Sequence, residues 1–298
     1  MKALAAVIVL SACTAHDPAL QHQVDTIAAQ VAEIQRQVGA LQQQASAPPP
    51  VPPEVTRKLD ALQDEVAKLA KPTPGRRFEP DPKQLYAIKA DGYPAQGPAT
   101  ALVTMVMAFD YADPYSERNR EVRAELRKKY GDDLRIVYRN FVVHPIVATV
   151  AAVGGCAAHR QHKFFEYDAI AWDKGYKGRS FDHTDANASP CWTTAAGCPV
   201  TYGFARDAKL DLQRFKHDMP ACAKVVQDDM AELQRVPVGA TPTFFINGHS
   251  LIGAMPIDQF ETAIDEALRA AHEAIIAHGA NAATYYNDFV LAKGVREP

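Results

Sequence analysis

The 298-residue sequence predicts an α/β fold that contains an inserted group of helices and follows a helical coiled-coil stalk. Three patterns lead to this prediction. An apolar run at residues 102–109 precedes a charged helical stretch and a second, alternating run, which together indicate a β-α-β unit. Residues 145–236 show helical patterns and no convincing strand. Two short apolar runs joined by Asn247 and Gly248 then predict a β-hairpin, and a striped helix follows it.

The N-terminus has the composition of a signal peptide for export, covering residues 1–12. Lys2 is followed by an apolar segment at residues 3–10. The sequence Leu10-Ser11-Ala12-Cys13 resembles the lipobox of bacterial lipoproteins, which predicts lipidation of Cys13 and attachment to a membrane. Thr14 is not acidic, and by resemblance to Gram-negative lipoproteins this favours the outer membrane over the inner. The alternative is an ordinary short signal peptide. The predicted location is the cell envelope, as a lipoprotein that faces the periplasm.

Residues 13–81 are predicted to form a helical stalk with Pro-rich linkers. Steps of four and three separate the apolar residues Leu20, Val24, Ile27, Val31, Ile34, Val38 and Leu41. Such a heptad stripe predicts self-association of residues 20–41 as a coiled coil, and does not distinguish a dimer from a trimer. A lone helix lying on the globular domain is the alternative. The proline run at residues 47–53 cannot continue a helix and indicates a stiff spacer.

The globular domain is predicted from residue 82 to residue 298. Its predicted strands cover residues 102–109, 134–138, 243–246 and 250–252. Its predicted helices cover residues 117–130, 147–158, 163–172, 222–236 and 285–291. A further long helix is predicted where Phe260, Ile264 and Leu268 form an apolar stripe. The crossover rule makes the first two strands parallel. Residues 173–198 are predicted to be a loop-rich stretch.

Three segments carry a resemblance to a known family. Gly239-Ala240-Thr241-Pro242-Thr243-Phe244-Phe245-Ile246-Asn247-Gly248 is similar to the cis-proline segment and hairpin of the DsbA family of thiol oxidoreductases. Asn140-Phe141-Val142-Val143-His144-Pro145 resembles that family's exit from the second strand, and Lys163-Phe164-Phe165-Glu166 resembles a helix of its insertion. The resemblance implies a thioredoxin fold with an inserted helical domain at about residues 145–236.

The family's redox motif is degenerate in this sequence. Where the family carries Cys-x-x-Cys, this chain has Asp113-Pro114-Tyr115-Ser116. Thiol–disulfide exchange needs a thiolate to attack a disulfide and a second thiol to resolve the product. A carboxylate and a hydroxyl do neither, so we expect no family-type catalysis. Asp113 is instead expected to cap the helix that begins at Pro114. A general acid–base role for Asp113, with Asp110 as its partner, is the alternative.

The family's peptide-binding groove is expected to persist. The resemblance places Thr241 and Pro242 opposite the degenerate motif, where an extended peptide pairs with the backbone in the family. Tyr111, Tyr115 and Met255 are candidates to flank this groove, and core packing is the alternative for each. The predicted partner is therefore an extended peptide or a periplasmic protein.

Four cysteines remain once Cys13 is assigned to lipid. The favoured pairs are Cys156 with Cys222 and Cys191 with Cys198, and the alternative is that one of the four is a reactive thiol. His159 and His162 lack a third ligand, so no metal site is predicted, and no cofactor is predicted either. The net charge of −3 gives no support for nucleic acid as a partner.

Three functional hypotheses follow from these patterns. The first is a membrane-anchored, redox-inactive DsbA-like protein that binds peptides or a partner protein and is not an enzyme. The second is a thiol–disulfide oxidoreductase or isomerase that acts through a cysteine outside the motif. The third is a structural protein in which the domain only terminates an oligomeric stalk.

Overall fold

The computed structural model describes residues 80–184, 189–236 and 238–297, together with residues 30, 33, 36 and 37. The chain divides into two compact units, Met1–Thr73 and Pro74–Pro298. In the first unit, Gln30, Glu33, Arg36 and Gln37 are helical and exposed. Glu33 pairs with Arg36 at 3.0 Å and accepts a hydrogen bond from Gln37 at 3.2 Å, the contacts typical of a solvated helix face. The signal peptide, Cys13, the heptad positions and the Pro-rich linkers lie outside the described residues, so the stalk and the lipidation stay predictions.

A five-stranded mixed sheet forms the centre of the second unit. Its strands are β1 (Ala95–Gln96), β2 (Val103–Phe109), β3 (Leu134–Asn140), β4 (Thr243–Ile246) and β5 (His249–Ile252). The spatial order is β1-β3-β2-β4-β5. Strands β2 and β3 are parallel, as predicted, and the other neighbours are antiparallel. The two-residue strand β1 was not predicted from the sequence, because it is too short to show a periodic pattern.

The β4–β5 hairpin has the turn that its sequence predicts. Asn247 and Gly248 both have positive φ, at 43° and 86°. This is the geometry of a type I′ turn, whose twist matches that of the flanking strands. The Asn247 side chain also bridges strands: its Oδ1 accepts from Thr104 N at 2.8 Å and its Nδ2 donates to Leu102 O at 2.9 Å. The hairpin is thereby fixed against β2.

Six α-helices accompany the sheet in the described part of the chain. They are α1 (Pro114–Tyr130), α2 (Pro145–His159), α3 (Phe164–Ile170), α4 (Pro199–Asp207), α5 (Leu212–Arg235) and α6 (Ile257–His278). Shorter helical turns cover Gly131–Asp133, Ala171–Tyr176, Cys191–Thr193, Ala282–Thr284 and Tyr286–Leu291. Helices α2 to α5 lie between β3 and β4, where the insertion was expected. None of these described helices has the length and apolarity that crossing a bilayer requires.

The predicted boundaries of the insertion helices need two corrections. Helix α4 was not predicted, and α5 begins ten residues before the predicted start at Cys222. Pro220 lies inside α5, although a proline in a helix interior costs ~3 kcal/mol. The helix continues because a buried apolar stripe runs along its whole length: Phe215, Met219, Cys222, Val226 and Leu233. Asp211 fixes its beginning by accepting hydrogen bonds from Gln213 N and Arg214 N.

A buried ion pair joins the sheet to the insertion. Arg139 of β3 is fully buried and donates to Asp229 of α5 at 2.7 Å through Nη2 and at 3.1 Å through Nε. Glu232 accepts a further bond from Nη2 at 3.2 Å. The guanidinium also lies 4.1 Å from the ring centroid of Tyr93. This network connects β3, α5 and the segment before β1.

Candidate functional site

The turn between β2 and α1 is closed by a hydrogen-bonded cap. Asp113 accepts from Tyr115 N at 3.1 Å and from Ser116 N at 2.9 Å, as expected for an N-cap residue. The hydroxyl of Ser116 donates to the same carboxylate at 2.7 Å. Both side chains are buried, with residue exposures of 4% for Asp113 and 0% for Ser116. The polar groups at both motif positions are therefore bonded to each other and to the start of α1.

Asp110 fastens the exit of β3 to this turn. It is buried, and its Oδ1 accepts from Ala112 N at 2.7 Å. Its Oδ2 accepts from Val143 N and from His144 N, each at 2.7 Å, and lies 3.1 Å from His144 Nδ1. Both oxygens are thus used to hold backbone. Asp110 therefore has a structural role, and the geometry offers no support for pairing it with Asp113 as an acid–base couple.

A cis peptide bond joins Thr241 and Pro242, immediately before β4. The next residue, Thr243, pairs with Ala108 near the end of β2, which sets the cis-proline at the same end of the sheet as the turn. Pro242 O accepts from Gly253 N at 2.8 Å. The N–H and C=O of Thr241 form no hydrogen bond with any described residue. The backbone of Thr241 is therefore unpaired within the described part of the chain.

Exposed apolar side chains gather at this end of the sheet. Among the described residues, four large apolar side chains are exposed: Tyr115, Val143, Ile146 and Ile276. Tyr115 follows β2, and Val143 and Ile146 follow β3. The carboxyl ends of these two parallel strands are adjacent, because Phe109 pairs with Asn140. Three of the four therefore lie around the strand-to-helix turn, and we call Tyr115, Val143 and Ile146 the apolar rim.

The family model described as Thioredoxin matches residues 89–266, which include the turn, the insertion and the cis-proline. This chain belongs to the thioredoxin family. Two solved structures show which form of the fold it has. Oxidised BdbD from Bacillus subtilis is 18% identical and covers 63% of this chain and 100% of its own, with a TM-score of 0.50. A cysteine-to-alanine variant of alpha-DsbA1 from Wolbachia pipientis is 15% identical and covers 62% and 94%, also with a TM-score of 0.50. The fold is thus the DsbA-like one that the sequence predicts.

Curated relatives of this thioredoxin-family chain are longer proteins. The Na(+)/H(+) antiporter NhaA of Herminiimonas arsenicoxydans is 29% identical over 161 residues, which are 53% of this chain and 23% of the relative. The NhaA 1 antiporter of Mycobacterium sp. strain KMS is 32% identical over 162 residues, 51% of this chain and 23% of the relative. The chain therefore spans about a quarter of the length of these relatives, and ion transport is named only for them.

One candidate groove residue of this thioredoxin-family chain lies in the core. Tyr111 is 1% exposed, and its hydroxyl donates to Asp168 Oδ1 at 2.9 Å. Its ring packs against Phe109 and Trp172, with centroid distances of 5.1 Å in both cases. The expectation that Tyr111 flanks the groove is corrected, because a buried side chain presents no surface to a peptide. Met255 is only partly buried and packs on the edge of the core.

The cysteines form the two favoured pairs. Cys156 of α2 is bonded to Cys222 of α5, and Cys191 is bonded to Cys198. The first pair closes 66 residues and joins two insertion helices, whereas the second closes a loop of seven. The prediction of this pairing from the sequence is confirmed. The four described cysteines consequently carry no free thiol in this structure.

The histidine pair does not form a cluster of ligands. The ring of His159 lies 3.2 Å from the carbonyl oxygen of Gly92, and burial lowers its pKa. His162 has a positive φ of 58° at the end of the turn that follows α2. Within the described ranges, no group of three or more histidine, cysteine or acidic side chains is arranged to hold a metal ion.

One feature of α1 was missed from the sequence. Val122, Leu126 and Tyr130 are apolar residues at helical spacing, but Val122 is only half-buried. The core-facing residues are Ser116, Asn119, Arg123, Leu126 and Tyr130. The first three are polar, so the half of α1 nearest the turn buries hydrogen-bonding groups. Ser116, Asn119 and Arg123 have the spacing i, i+3, i+7 of one helix face, which is visible in the sequence. Because they are polar, a sequence-based prediction normally places such residues on the solvent-exposed face of a helix.

Proposed function

We propose that this chain is a membrane-anchored, redox-inactive DsbA-like protein that binds an extended peptide segment beside its cis-proline. The observation that carries the proposal is the unpaired backbone of Thr241 at the open end of the sheet. Its N–H and C=O have no bond to any other described residue. An extended peptide pairing with them would add a short strand next to Pro242, in the manner of β-augmentation.

The chemistry of the motif supports a binding role over a catalytic one. Asp113 and Ser116 supply an anion and a hydroxyl where thiol exchange needs two sulfurs. The sulfurs of the described cysteines are all committed to disulfides. A reaction through a cysteine outside the motif would first need one of these disulfides to be reduced. We therefore prefer the binding role.

The apolar rim supports a segment that contains large apolar side chains. Tyr115 is 53% exposed and Ile146 is 59% exposed. Exposed apolar side chains that lie together, rather than singly, are typical of interaction sites. Residues 238–256 around the cis-proline contain no aspartate, glutamate, lysine or arginine, and the exposed His249 lies at the turn of the hairpin, away from the cis-proline. We infer that backbone pairing at Thr241 supplies affinity for an extended chain and that the rim favours apolar side chains.

Anchoring and location rest on the sequence alone. Lipidation at Cys13 would hold the protein on a membrane, outer more than inner, with the domain facing the periplasm. Residues 20–41 would join two or three copies through the heptad stripe. Several copies on one membrane would then present several grooves at a short distance from one another, which raises the avidity for a partner that contains repeated apolar segments.

The experiment measures the binding of fluorescent peptides of about ten residues by anisotropy. Two N-methylated forms of an apolar peptide are compared, one methylated on odd residues and the other on even residues. Because alternate residues of a strand point their N–H groups in opposite directions, only one form removes the donors that face Thr241. We expect binding to weaken at least tenfold in one register and to change little in the other. Absence of saturable binding, or equal binding of both methylated forms, would exclude β-augmentation.

A substitution in the rim tests the second part of the proposal. Tyr115→Ser and Val143→Ser remove exposed apolar surface without touching the core, and we expect each to weaken binding severalfold. Ile276→Ser is the matched control, since Ile276 is 86% exposed but belongs to α6 and not to the strand ends. Equal loss in the control would show that the effect is general surface hydrophobicity.

A further inference from the structure

A cleft opens on the face of the sheet opposite α1. Successive side chains of a strand point to opposite faces. Leu126 of α1 shares one buried cluster with Ile136 of β3, whereas Val236, just after α5, shares a second cluster with Val137. The cleft lies beside Val236, and its volume of about 420 Å³ is within the ~300–1,000 Å³ typical of sites for small molecules. Its lining comes from three segments, at residues 87–89, 228–236 and 291–296.

Hydrogen bonds hold these three segments together. Ala87 N donates to Val295 O at 2.9 Å, so the C-terminal segment runs beside the segment that precedes β1. Arg139 joins that segment to α5, because its Nη1 donates to Lys89 O at 3.3 Å and its Nη2 donates to Glu232 at 3.2 Å. The walls of the cleft are therefore fixed by bonds within the domain.

The two carboxylates of the cleft each have a cation outside its lining. Asp228 pairs with Lys224, and Glu232 pairs with the buried Arg139. Burial disfavours the ionised form of Glu232, but the charges of Arg139 and Lys89 outweigh this effect and lower its pKa. The protein itself therefore balances the negative charge of both carboxylates.

Three cationic side chains line the same cleft, those of Lys89, Arg235 and Arg296. Arg235 has a loose contact of 3.9 Å with Glu297, whose side chain is 72% exposed. The guanidinium of Arg296 forms no ion pair with any residue in the described part of the chain. A guanidinium presents two parallel N–H groups that match the oxygens of a carboxylate or a phosphate. The unbalanced charge of the cleft is thus positive and suits an oxyanion.

The remaining lining is apolar and consists of Ala87, Ala231, Val236 and Leu291. Ala87 and Val236 are buried, whereas Ala231 is exposed. An oxyanion alone would leave this apolar surface uncovered, and a purely apolar ligand would leave the cations unpaired. We propose that the cleft binds a small amphiphilic oxyanion, a carboxylate or phosphate carried on a short apolar chain. The site shares no residue with the cis-proline groove and goes beyond the proposed peptide binding.

The test titrates the full-length, ¹⁵N-labelled protein with probes that share one alkyl chain: hexanoate, hexyl phosphate, hexan-1-ol and hexylammonium. We expect both anions to give saturable shifts of the amide signals of residues 87–89, 228–236 and 291–296. The alcohol and the ammonium ion should bind at least tenfold more weakly, because neither carries an oxyanion. Equal binding of the alcohol or of the ammonium ion, or no saturable shift with either anion, would overturn the proposal.

Inorganic phosphate probes the charged head without the chain. We expect it to bind at least tenfold more weakly than hexyl phosphate, because it gains nothing from the apolar lining. Equal binding of the two would show that the site recognises the oxyanion alone, and would overturn the amphiphilic ligand.

Substitutions separate the charge of the cleft from its shape. Arg296→Gln should weaken hexanoate binding severalfold, whereas Lys128→Gln, which removes an exposed cation from the end of α1, should not. Ala231→Phe narrows the cleft without changing its charge and should also weaken binding severalfold. Ala221→Phe is its matched control, because Ala221 is an exposed residue of the same helix outside the cleft. Unchanged binding in either cleft variant, or an equal loss in its control, would overturn the assignment.

Discussion

Ser116 Oγ donates a hydrogen bond of 2.7 Å to Asp113 Oδ2, so the residues at the two positions of the degenerate motif are bonded to each other. In a thiol enzyme, the helix N-terminus at this place stabilises a thiolate. Here it stabilises a carboxylate, which carries the same charge and accepts the same backbone N–H groups. The turn therefore still places a negative charge at the helix N-terminus, but it contains neither the nucleophilic thiol nor the resolving thiol.

The first prediction is that thiol chemistry returns when both sulfurs are restored. We expect the parent protein to show no insulin reduction and no oxidation of a dithiol peptide. Asp113→Cys/Ser116→Cys should gain measurable activity in both assays, because the helix N-terminus lowers the pKa of a thiol placed at residue 113. The assay follows insulin turbidity and peptide thiol loss over time.

Single substitutions are the matched controls for this gain. Asp113→Cys alone should attack a small disulfide probe, form a mixed disulfide with one half of it and release the other half as a thiol, but it should not turn over, because the resolving thiol is missing. Ser116→Cys alone should be inert at ordinary rates, since residue 116 is fully buried. Activity of the parent at the rate of the double variant would contradict the redox-inactive proposal.

The second prediction concerns the cap itself. Asp113→Ala removes the N-cap and leaves the buried Ser116 hydroxyl without an acceptor, so we expect it to lower the free energy of unfolding by ~2–3 kcal/mol. Asp211→Ala is the control, because Asp211 caps α5 through two backbone bonds at an exposed position. Its expected loss is ~1 kcal/mol. Urea denaturation measures both, and an equal loss in the two variants would disagree with a buried role for Ser116.

Much of the fold follows from local sequence patterns. The apolar run at β2, the alternation in β3 and the Asn247-Gly248 turn each determine one element through the nearest neighbours in the chain. The crossover rule then orders β2 and β3. The Cys191–Cys198 bond closes a short loop, and Cys156 lies on a helix that faces Cys222. The resemblance of residues 239–248 indicated the cis-proline, which the structure contains.

The missed features depend on what lies across the core. Nothing local distinguishes a buried Arg123 from an exposed one, because its burial depends on Tyr138 of β3. The burial of Tyr111 was missed for the same reason, because its hydroxyl bonds to Asp168, which is 57 residues away along the chain. The start of α5 was missed because Pro220 usually ends a helix, whereas here the contacts of its buried stripe outweigh the lost bond. Tertiary packing decided all three cases.

The third prediction tests the buried ion pair. Arg139→Met leaves Asp229, whose side chain is 2% exposed, as an unpaired buried acid, and we expect a loss of ~3–5 kcal/mol in the free energy of unfolding. Arg139→Met/Asp229→Leu removes both partners and should regain most of this loss. Arg135→Met is the control, because its partner Asp91 is 68% exposed and the pair should contribute only ~0–1 kcal/mol. If the double variant is no more stable than Arg139→Met, the pair is not coupled.

The fourth prediction is a pH dependence that originates at Asp168. This carboxyl is buried, and its Oδ1 accepts from Tyr111 Oη at 2.9 Å and from Trp172 Nε1 at 3.0 Å. Burial raises its pKa, although Arg123 and the two hydrogen bonds oppose the rise. Since the pKa of the folded state lies above that of the unfolded state, the unfolded chain releases this proton first. The contribution of Asp168 to stability is therefore full below the ordinary pKa near 3.8 and is lost as the pH rises through the folded-state value.

Asp168→Asn isolates this contribution, because the amide oxygen can still accept from Tyr111 and Trp172 but the side chain cannot ionise. We expect the unfolding free energy of the parent to fall relative to that of Asp168→Asn as the pH is raised from about 3.5. Asp173→Asn is a control of opposite sign, since hydrogen bonding to Arg120 lowers the pKa of Asp173. The parent should gain stability relative to that variant as the pH rises through the acidic range. Parallel curves for the parent and Asp168→Asn would show that burial does not shift the titration of Asp168.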